Sequence, residues 1–270
     1  MKITFLGGGN MANALIGGML KNGFAAADIT VIEPGGAARD KLTETFAVNC
    51  LESAQMLGSA GELLVLAVKP QQMKDAVSPL TGKLGNAVVV SIAAGLDLAT
   101  LSRFLGGHRK VVRCMPNTPA LIGAGITGLC ALPEVSPDEC AAADSVLKAV
   151  GSTVWIADEG KMDGVTALSG SGPAYVFLFI EALQQAAADL GFTPEQGRQL
   201  AIETVQGAAA LAAQSSDPAS VLRERVTSKG GTTEAALRMM AEKGVKEGII
   251  AGVKAAEARG RELGKLLGGE

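Results

Sequence analysis

Residues 3–20 read ITFLGGGNMANALIGGML, a short apolar and β-branched run, a glycine turn and a helix-like segment in direct succession. The turn has the form GxGxxA, with Gly7, Gly9 and Ala12 at the motif positions. Gly7 permits a tight turn, Gly9 lets a pyrophosphate approach the backbone, and Ala12 lets the helix pack closely on the strand. The motif predicts a dinucleotide site at the start of the first helix; a plain glycine turn is the alternative.

Around this stretch, apolar runs alternate with helix-like segments as far as residue 156. The predicted strands are 2–6, 29–33, 63–68, 87–92, 111–114, 125–131 and 153–156, and the predicted helices are 10–22, 36–45, 71–80, 97–105 and 137–150. Nearly continuous apolar strands separated by helices indicate a parallel sheet covered on both faces. The fold class is therefore α/β, with a Rossmann-like doubly wound parallel sheet in residues 1–160.

The second half of the chain, from residue 164, shows no strand pattern. Ala-rich segments predict helices at 173–190, 194–214, 218–227, 232–243 and 245–266. Residues 175–180 are apolar on all sides, which in a helix indicates burial in a bundle or a subunit interface. Residues 161–270 are predicted to form an all-α substrate and dimerisation domain.

The composition narrows the classes of function. The chain has 270 residues, a net charge of −3 and no run of Lys or Arg, which argues against nucleic-acid binding. A single His, at 108, excludes a multi-His metal site, and no metal is expected. Four cysteines without a CxxC pair predict a reduced, cytoplasmic protein. Glycine, proline or a charge interrupts the apolar stretches 3–20, 114–133 and 164–180, so no membrane span is expected.

Glu33 ends the second predicted strand, 24 residues after Gly9. A carboxylate at this position accepts hydrogen bonds from an adenosine ribose and repels a 2′-phosphate, which favours NADH over NADPH. A surface carboxylate is the alternative, because Arg39 and Lys41 lie nearby in the sequence and are suited to a phosphate.

Three further turns follow predicted strands and so fall on the same sheet edge, where open α/β sheets bind ligands. They are 67–70, 91–95 and 115–119, and the last of them contains Asn117. Each taken alone is also compatible with an ordinary turn. Their common placement predicts a cofactor crevice.

Two segments of the helical half place small residues at helix starts. Residues 169–173 read SGSGP, and residues 230–233 read GGTT. Free backbone N–H groups and hydroxyls at a positive helix end suit a small carboxylate. Ordinary N-capping by Ser and Thr is the alternative.

Six blocks in order make the chain resemble the pyrroline-5-carboxylate reductases. They are FLGGGNMANALIGGML at 5–20, AVKPQQM at 67–73, SIAAG at 91–95, RCMPNTPALIGAG at 113–125, LSGSGPAYVFLFIEAL at 168–183, and SKGGTTEAALRMM with EKG at 228–244. The resemblance implies reduction of L-1-pyrroline-5-carboxylate to L-proline by NADPH or NADH, the last step of proline biosynthesis. It also implies a helical domain that interlocks with that of a partner to form a homodimer, which in the family is often assembled into a larger ring.

The resemblance places the functional residues by motif. The expected cofactor-binding residues are Gly7, Gly8, Gly9, Asn10, Met11, Glu33, Ala67, Val68, Lys69, Pro70, Ala94, Gly95 and Asn117, the last beside the nicotinamide. The expected substrate-binding residues are Ser171, Gly172, Pro173, Gly230, Gly231, Thr232 and Thr233. Thr233 is similar to the family's hydrogen-bonding threonine and is the expected catalytic residue.

Two positions depart from the family pattern. Lys229 stands where proline usually precedes Gly-Gly in the family. Glu33 stands where small hydroxyl residues are common, so the resemblance favours NADPH while Glu33 itself favours NADH.

A β-hydroxyacid dehydrogenase and a sensor that binds NAD(P)H without turnover are the alternative functions. The first would need a lysine at the start of the helical domain, where residues 173–177 read PAYVF, and the second would not need a substrate pocket.

Overall fold

The computed structural model describes residues 1–268, and an eight-stranded sheet dominates its first part. The strands are β1 (Ile3–Leu6), β2 (Ile29–Ile32), β3 (Asn49–Leu51), β4 (Leu63–Leu66), β5 (Val88–Ser91), β6 (Val111–Met115), β7 (Gly125–Ala131) and β8 (Gly151–Trp155). They lie in the order β3-β2-β1-β4-β5-β6-β7-β8. The chain runs one way from β1 to β3 and the other way from β4 onward, so β1 and β4 form the switch point where such sheets bind ligands.

Helices connect the strands and then form the second part of the chain. Those of the first part are α1 (Asn10–Lys21), α2 (Gly36–Phe46), α3 (Met73–Val77), α4 (Leu98–Phe104), α5 (Pro137–Lys148) and α6 (Met162–Val165), the last followed by a π-helical turn, Thr166–Gly170. The others are α7 (Gly172–Asp189), α8 (Pro194–Gln214), α9 (Ala219–Arg225), α10 (Thr232–Glu242) and α11 (Val245–Gly268). The Rossmann-like fold class predicted from the sequence is confirmed.

The sheet differs from the predicted all-parallel sheet at one pair of strands. β6 and β7 are antiparallel, with Cys114 opposite Leu129. A parallel return needs a crossover of a dozen or more residues, and only residues 116–124 separate the two strands. β3 was absent from the predicted strands, because three partly exposed residues at a sheet edge carry little periodic signal.

Apolar side chains cover both faces of the sheet. Along β1, Phe5 belongs to one buried cluster and Leu6 to the other. β4 repeats this division, with Val65 on one face and Leu66 on the other. All four side chains are at most 4% exposed, which explains the almost entirely apolar sequences of these strands.

By packing, the chain divides into two compact units. The first contains Met1–Ser171 and the chain from Ala255 onward, and the second contains Gly172–Lys254. This division differs from the linear boundary predicted near residue 160, because the helical stretch before Ser171 and the second half of α11 pack with the sheet. The domain assignment of residues 1–160 and 161–270 stays a prediction about function.

The second unit has almost no interior of its own. Its helices α7 and α8 pack where Gly197 meets Ala187, and a capping box of Thr193 and Gln196 begins α8. Among its described residues, the buried apolar side chains are Ala187 and Ala201. Two alanines do not stabilise five helices by burial, so this unit needs a further apolar surface to cover it.

Candidate active site

The glycine turn after β1 is built by a close backbone approach. Gly7 has φ +101°, and a Cβ there would lie 2.7 Å from the carbonyl oxygen of Ala67, the residue after β4. The Gly7 N–H donates to the carbonyl of Ile32 over 2.9 Å. Gly7 thus joins the ends of β1, β2 and β4 at the switch point, and a side chain does not fit there.

The start of α1 is open in the way that a bound phosphate requires. Gly9 is its N-cap, no side chain caps it, and a Cβ at Gly9 would have no heavy atom within 4 Å. Asn10 and Met11 form the first turn of α1, and their N–H groups have no partner within the helix. Free N–H groups, open space and the positive helix end fit a pyrophosphate.

Glu33 directly follows β2 and lies beside this turn. Its predicted contact with a ribose stays a prediction. Its Oε2 accepts from the Gly8 N–H over 3.0 Å, and its Oε1 accepts from the Gly35 N–H over 2.9 Å. Arg39 donates from Nη1 to the carbonyls of Glu33 and Pro34. Lys41 lines a cavity of about 290 Å³ together with Gly8 and Asn10.

The turns after β4 and β5 lie on the same sheet edge. The Val68 side chain comes within 3.1 Å of the Cβ position of Gly7. Lys69 and Pro70 follow at the start of a 3-10 turn, Pro70–Gln72. After β5, Ala94 leads to Gly95, whose φ is +78°.

The last helix adds a neighbour to this edge that the sequence did not indicate. The Cα of Gly264 lies 3.8 Å from the Cβ position of Gly95, and the Leu267 side chain lies 3.5 Å from it. Arg103 donates from Nη2 to the carbonyl of Gly268 over 2.5 Å. The C-terminal part of α11 therefore packs on the β5–α4 turn.

Asn117 follows β6 and is only 8% exposed. Its Nδ2 donates to the carbonyl of Ser169 over 3.1 Å, and its Oδ1 accepts from the Ile126 N–H over 3.0 Å. Both ends of the amide are thus used inside the first unit. Contact of this side chain with a nicotinamide stays a prediction.

The predicted substrate residues lie at two helix starts. Ser171 closes the π-helical turn through its N–H to the carbonyl of Thr166, 2.8 Å, and Gly172 and Pro173 open α7. Thr232 and Thr233 open α10 after the N-cap Gly231, which has no side-chain cap. The Gly230 N–H donates to Oε2 of Glu234 over 2.6 Å, which braces the turn. Their assembly into one pocket stays a prediction.

Two further groups were missed by sequence reasoning. Asn13 donates from Nδ2 to the carbonyls of Gly8 and Gly9 over 2.7 and 2.9 Å and so braces the glycine turn. Arg113 is buried in β6 and paired with acidic residues of the following helices. The only signals were an amide four residues after Gly9 and one charge inside an apolar strand.

The buried thiols are not poised as nucleophiles. Burial, and then the neighbouring Cys130, raise the pKa of the Cys114 thiol well above its usual range. Burial also raises the pKa of Cys130, with a further contribution from Glu159. Both stay protonated at neutral pH. Within residues 1–268, no group of three or more His, Cys, Asp or Glu side chains is placed to hold a metal ion.

Comparison with known proteins agrees with this geometry over the whole chain. Residues 159–263 match the family "Pyrroline-5-carboxylate reductase dimerisation", and residues 2–95 match "NADP oxidoreductase coenzyme F420-dependent". The pyrroline-5-carboxylate reductase of Pseudomonas aeruginosa is 43% identical over 99% of this chain and 98% of its own. The chain belongs to the pyrroline-5-carboxylate reductase family. It is therefore an NAD(P)-dependent oxidoreductase.

Solved structures of this family show the same fold. The Coxiella burnetii pyrroline-5-carboxylate reductase is 38% identical with a TM-score of 0.91, over 97% of this chain and 98% of that one. The Plasmodium falciparum pyrroline carboxylate reductase, solved with NADP bound, is 28% identical with a TM-score of 0.88, over 98% of each chain.

The two turn glycines are expected to respond differently to alanine. Gly7→Ala should lower the free energy of unfolding by about 2 kcal/mol or more, because its φ and the Ala67 carbonyl both oppose a Cβ. Gly9→Ala should leave stability within about 0.5 kcal/mol, because the added methyl group contacts no other part of the protein. It should weaken NADH binding about tenfold, because the methyl group occupies the space expected to hold the pyrophosphate. Urea unfolding and fluorescence titration with NADH measure the two effects. Equal behaviour of the two variants in both experiments would contradict this assignment of the turn.

Proposed function

We infer that this enzyme catalyses the reaction of its family, the reduction of L-1-pyrroline-5-carboxylate to L-proline. The observation that carries the proposal is the uncapped α1 start beside Gly7 and Glu33, in a chain 43% identical to a pyrroline-5-carboxylate reductase. A β-hydroxyacid dehydrogenase would need a lysine near Pro173, and residues 173–183 contain none.

Reduction of the imine requires the substrate to be aligned with the nicotinamide more than it requires a strong acid. A protonated cyclic imine is already electrophilic, and a bound reduced nicotinamide supplies the hydride that its carbon accepts. In our proposal, the N–H groups at the start of α1 hold the pyrophosphate. The N–H groups at the start of α10 hold the substrate carboxylate, and the Thr233 hydroxyl hydrogen-bonds the ring nitrogen. The nitrogen leaves the reaction as the amine of proline.

Initial rates of NADH and NADPH oxidation at 340 nm, with and without pyrroline-5-carboxylate, test the reaction directly. A rate that depends on the imine supports it. Binding of either cofactor without such a rate would instead support a sensor.

Thr233→Ala should lower kcat by about tenfold or more, because the hydrogen bond to the ring nitrogen is lost while the α10 backbone stays in place. Thr227→Ala is the matched control, since its hydroxyl donates to the carbonyl of Arg223 within the same unit. Unchanged turnover in Thr233→Ala, with thermal stability equal to that of the wild type, would remove this hydroxyl from the mechanism.

For the cofactor, we propose a preference for NADH. The Glu33 carboxylate, held by the N–H groups of Gly8 and Gly35, can still accept from ribose hydroxyls and repels a 2′-phosphate. Arg39 uses Nη1 to bond the carbonyls of Glu33 and Pro34, so this nitrogen is not free to bind a 2′-phosphate. Two observations favour NADPH instead. Lys41 is a cation that lines the cavity beside Gly8, and the Plasmodium falciparum relative was solved with NADP bound.

Glu33→Ser should raise kcat/KM for NADPH relative to NADH by about tenfold, because it removes the repulsive charge. Glu52→Ser is the control, since it removes another carboxylate, one that is exposed and whose Oε2 lies 3.9 Å from Nη2 of Arg39. A wild-type preference for NADPH, or an unchanged ratio in Glu33→Ser, would show that Glu33 does not select the cofactor.

The assembly that we propose is a homodimer through the second unit, which assembles further into a larger ring. Phe177 and Leu178 on α7 are 64% and 66% exposed in the single chain. The helical stretch Glu159–Asp189 is also long and apolar enough to cross a membrane, and only 6% of an apolar 18-residue segment within it is buried. The dimerisation family matched over 159–263 supports coverage by a second copy rather than by lipid.

The four unpaired cysteines support a cytoplasmic location, which cell fractionation tests.

Phe177→Glu should break this assembly, because a carboxylate would replace a side chain that the partner buries. Light scattering after size exclusion should give at least twice the 27.3 kDa of the chain for the wild type and the mass of one chain for the variant. Met56→Glu is the control, because Met56 is equally exposed (61%) but lies in the first unit. An unchanged mass for Phe177→Glu would move the interface elsewhere.

A further inference from the structure

The strand β6 presents three alternate positions to the helical stretch that leads to Ser171. Arg113, Met115 and Asn117 are each two residues apart, so they lie on one face of the strand and its continuation. Each of them meets a different part of residues 159–170. All of these contacts lie within the first unit.

The first position anchors the beginning of the stretch. Arg113 is 6% exposed, and its Nη2 lies 2.9 Å from Oδ1 of Asp163, while its Nη1 lies 3.3 Å from Oε1 of Glu159. The same Glu159 oxygen accepts from the N–H of Leu98 over 2.7 Å. A buried guanidinium with two carboxylates fixes this part of the helix against the sheet.

The second position governs how closely the π-helical turn approaches. A Cβ at Gly170 would lie 2.9 Å from Cε of Met115. The turn itself is wider than an α-helix, with the Ser171 N–H reaching back five residues to Thr166. Such single π turns are unfavourable by themselves and occur often at functional sites.

The third position supplies a missing hydrogen bond. The carbonyl of Ser169 would pair with the N–H four residues later in an α-helix, and that residue is Pro173, which has none. The Nδ2 of Asn117 donates to this carbonyl instead, over 3.1 Å. The other end of the amide is held by the Ile126 N–H, so the donor cannot rotate away without a loss.

We propose that Asn117 is a positioning residue that holds the π-helical turn Thr166–Gly170, and with it the Ser171 that follows, in the conformation required by the substrate. This inference rests on the proposed function, since the role of the turn in binding the substrate depends on the enzyme being an imine reductase. It assigns Asn117 a different part from direct contact with the nicotinamide. The structure connects the sheet edge of the cofactor to the substrate turn through one amide.

Asn117→Asp is the sharpest test, because it keeps the oxygen that accepts from Ile126 and replaces the donor facing Ser169 by an oxygen. Hydrogen exchange followed by mass spectrometry, without ligand, should show about tenfold faster deuterium uptake in residues 166–171. kcat/KM for pyrroline-5-carboxylate should fall about tenfold or more, while the Kd for NADH, from fluorescence titration, should change less than about twofold.

Asn49→Asp is the matched control. Its Nδ2 donates to the carbonyl of Ala27 over 3.1 Å, at the other edge of the sheet. It should leave uptake in 166–171 and the kinetics as in the wild type.

Unchanged uptake in Asn117→Asp would show that the amide does not hold the turn. A loss of NADH affinity as large as the loss in kcat/KM would make Asn117 a cofactor ligand and overturn the proposal. A wild type without imine reduction would refute the proposed function, and the exchange comparison would still decide whether Asn117 holds the turn.

Discussion

The approach of Gly7 to the carbonyl of Ala67 is the contact on which the cofactor site depends. It brings the end of β1 against the end of β4, at the point where the order of the strands reverses. The chain then enters α1 with Gly9 as an N-cap that has no side-chain partner and no heavy atom within 4 Å of its Cβ position. A side chain at Gly7 would separate these strand ends, so conformational freedom at one residue sets the shape of the site.

The same principle of close backbone packing extends along the sheet edge. Gly170 leaves room for the Met115 side chain. A Cβ at Gly264 would lie 2.9 Å from the carbonyl oxygen of Gly95. Small residues at these points let helices approach the strand ends. This explains why a chain with 35 glycines and 3% aromatic residues still forms a well-packed α/β unit.

The two units differ in what stabilises them. The first buries apolar side chains on both faces of its sheet, whereas the second leaves Phe177 and Leu178 largely exposed. Exposed apolar side chains on this scale indicate a surface that another protein covers. We therefore expect the folding of the helical unit to be coupled to the assembly of the enzyme.

The sequence by itself determined the elements whose signals are local. The apolar strands, the GxGxxA turn and the helix starts at 172 and 232 follow from periodicity, glycine and proline, and six ordered motifs pointed to the family. Glu33 lies beside the glycine turn because its distance from Gly9 in the sequence reflects the length of one βα unit, and its contact with a ribose stays a prediction. Tertiary structure alone decided the antiparallel return of β7, the packing of the C-terminal part of α11 on Gly95, and the inward use of the Asn117 amide. These depend on which segments meet in space, and contacts between residues 117 and 169 or 95 and 264 leave no periodic trace in the chain.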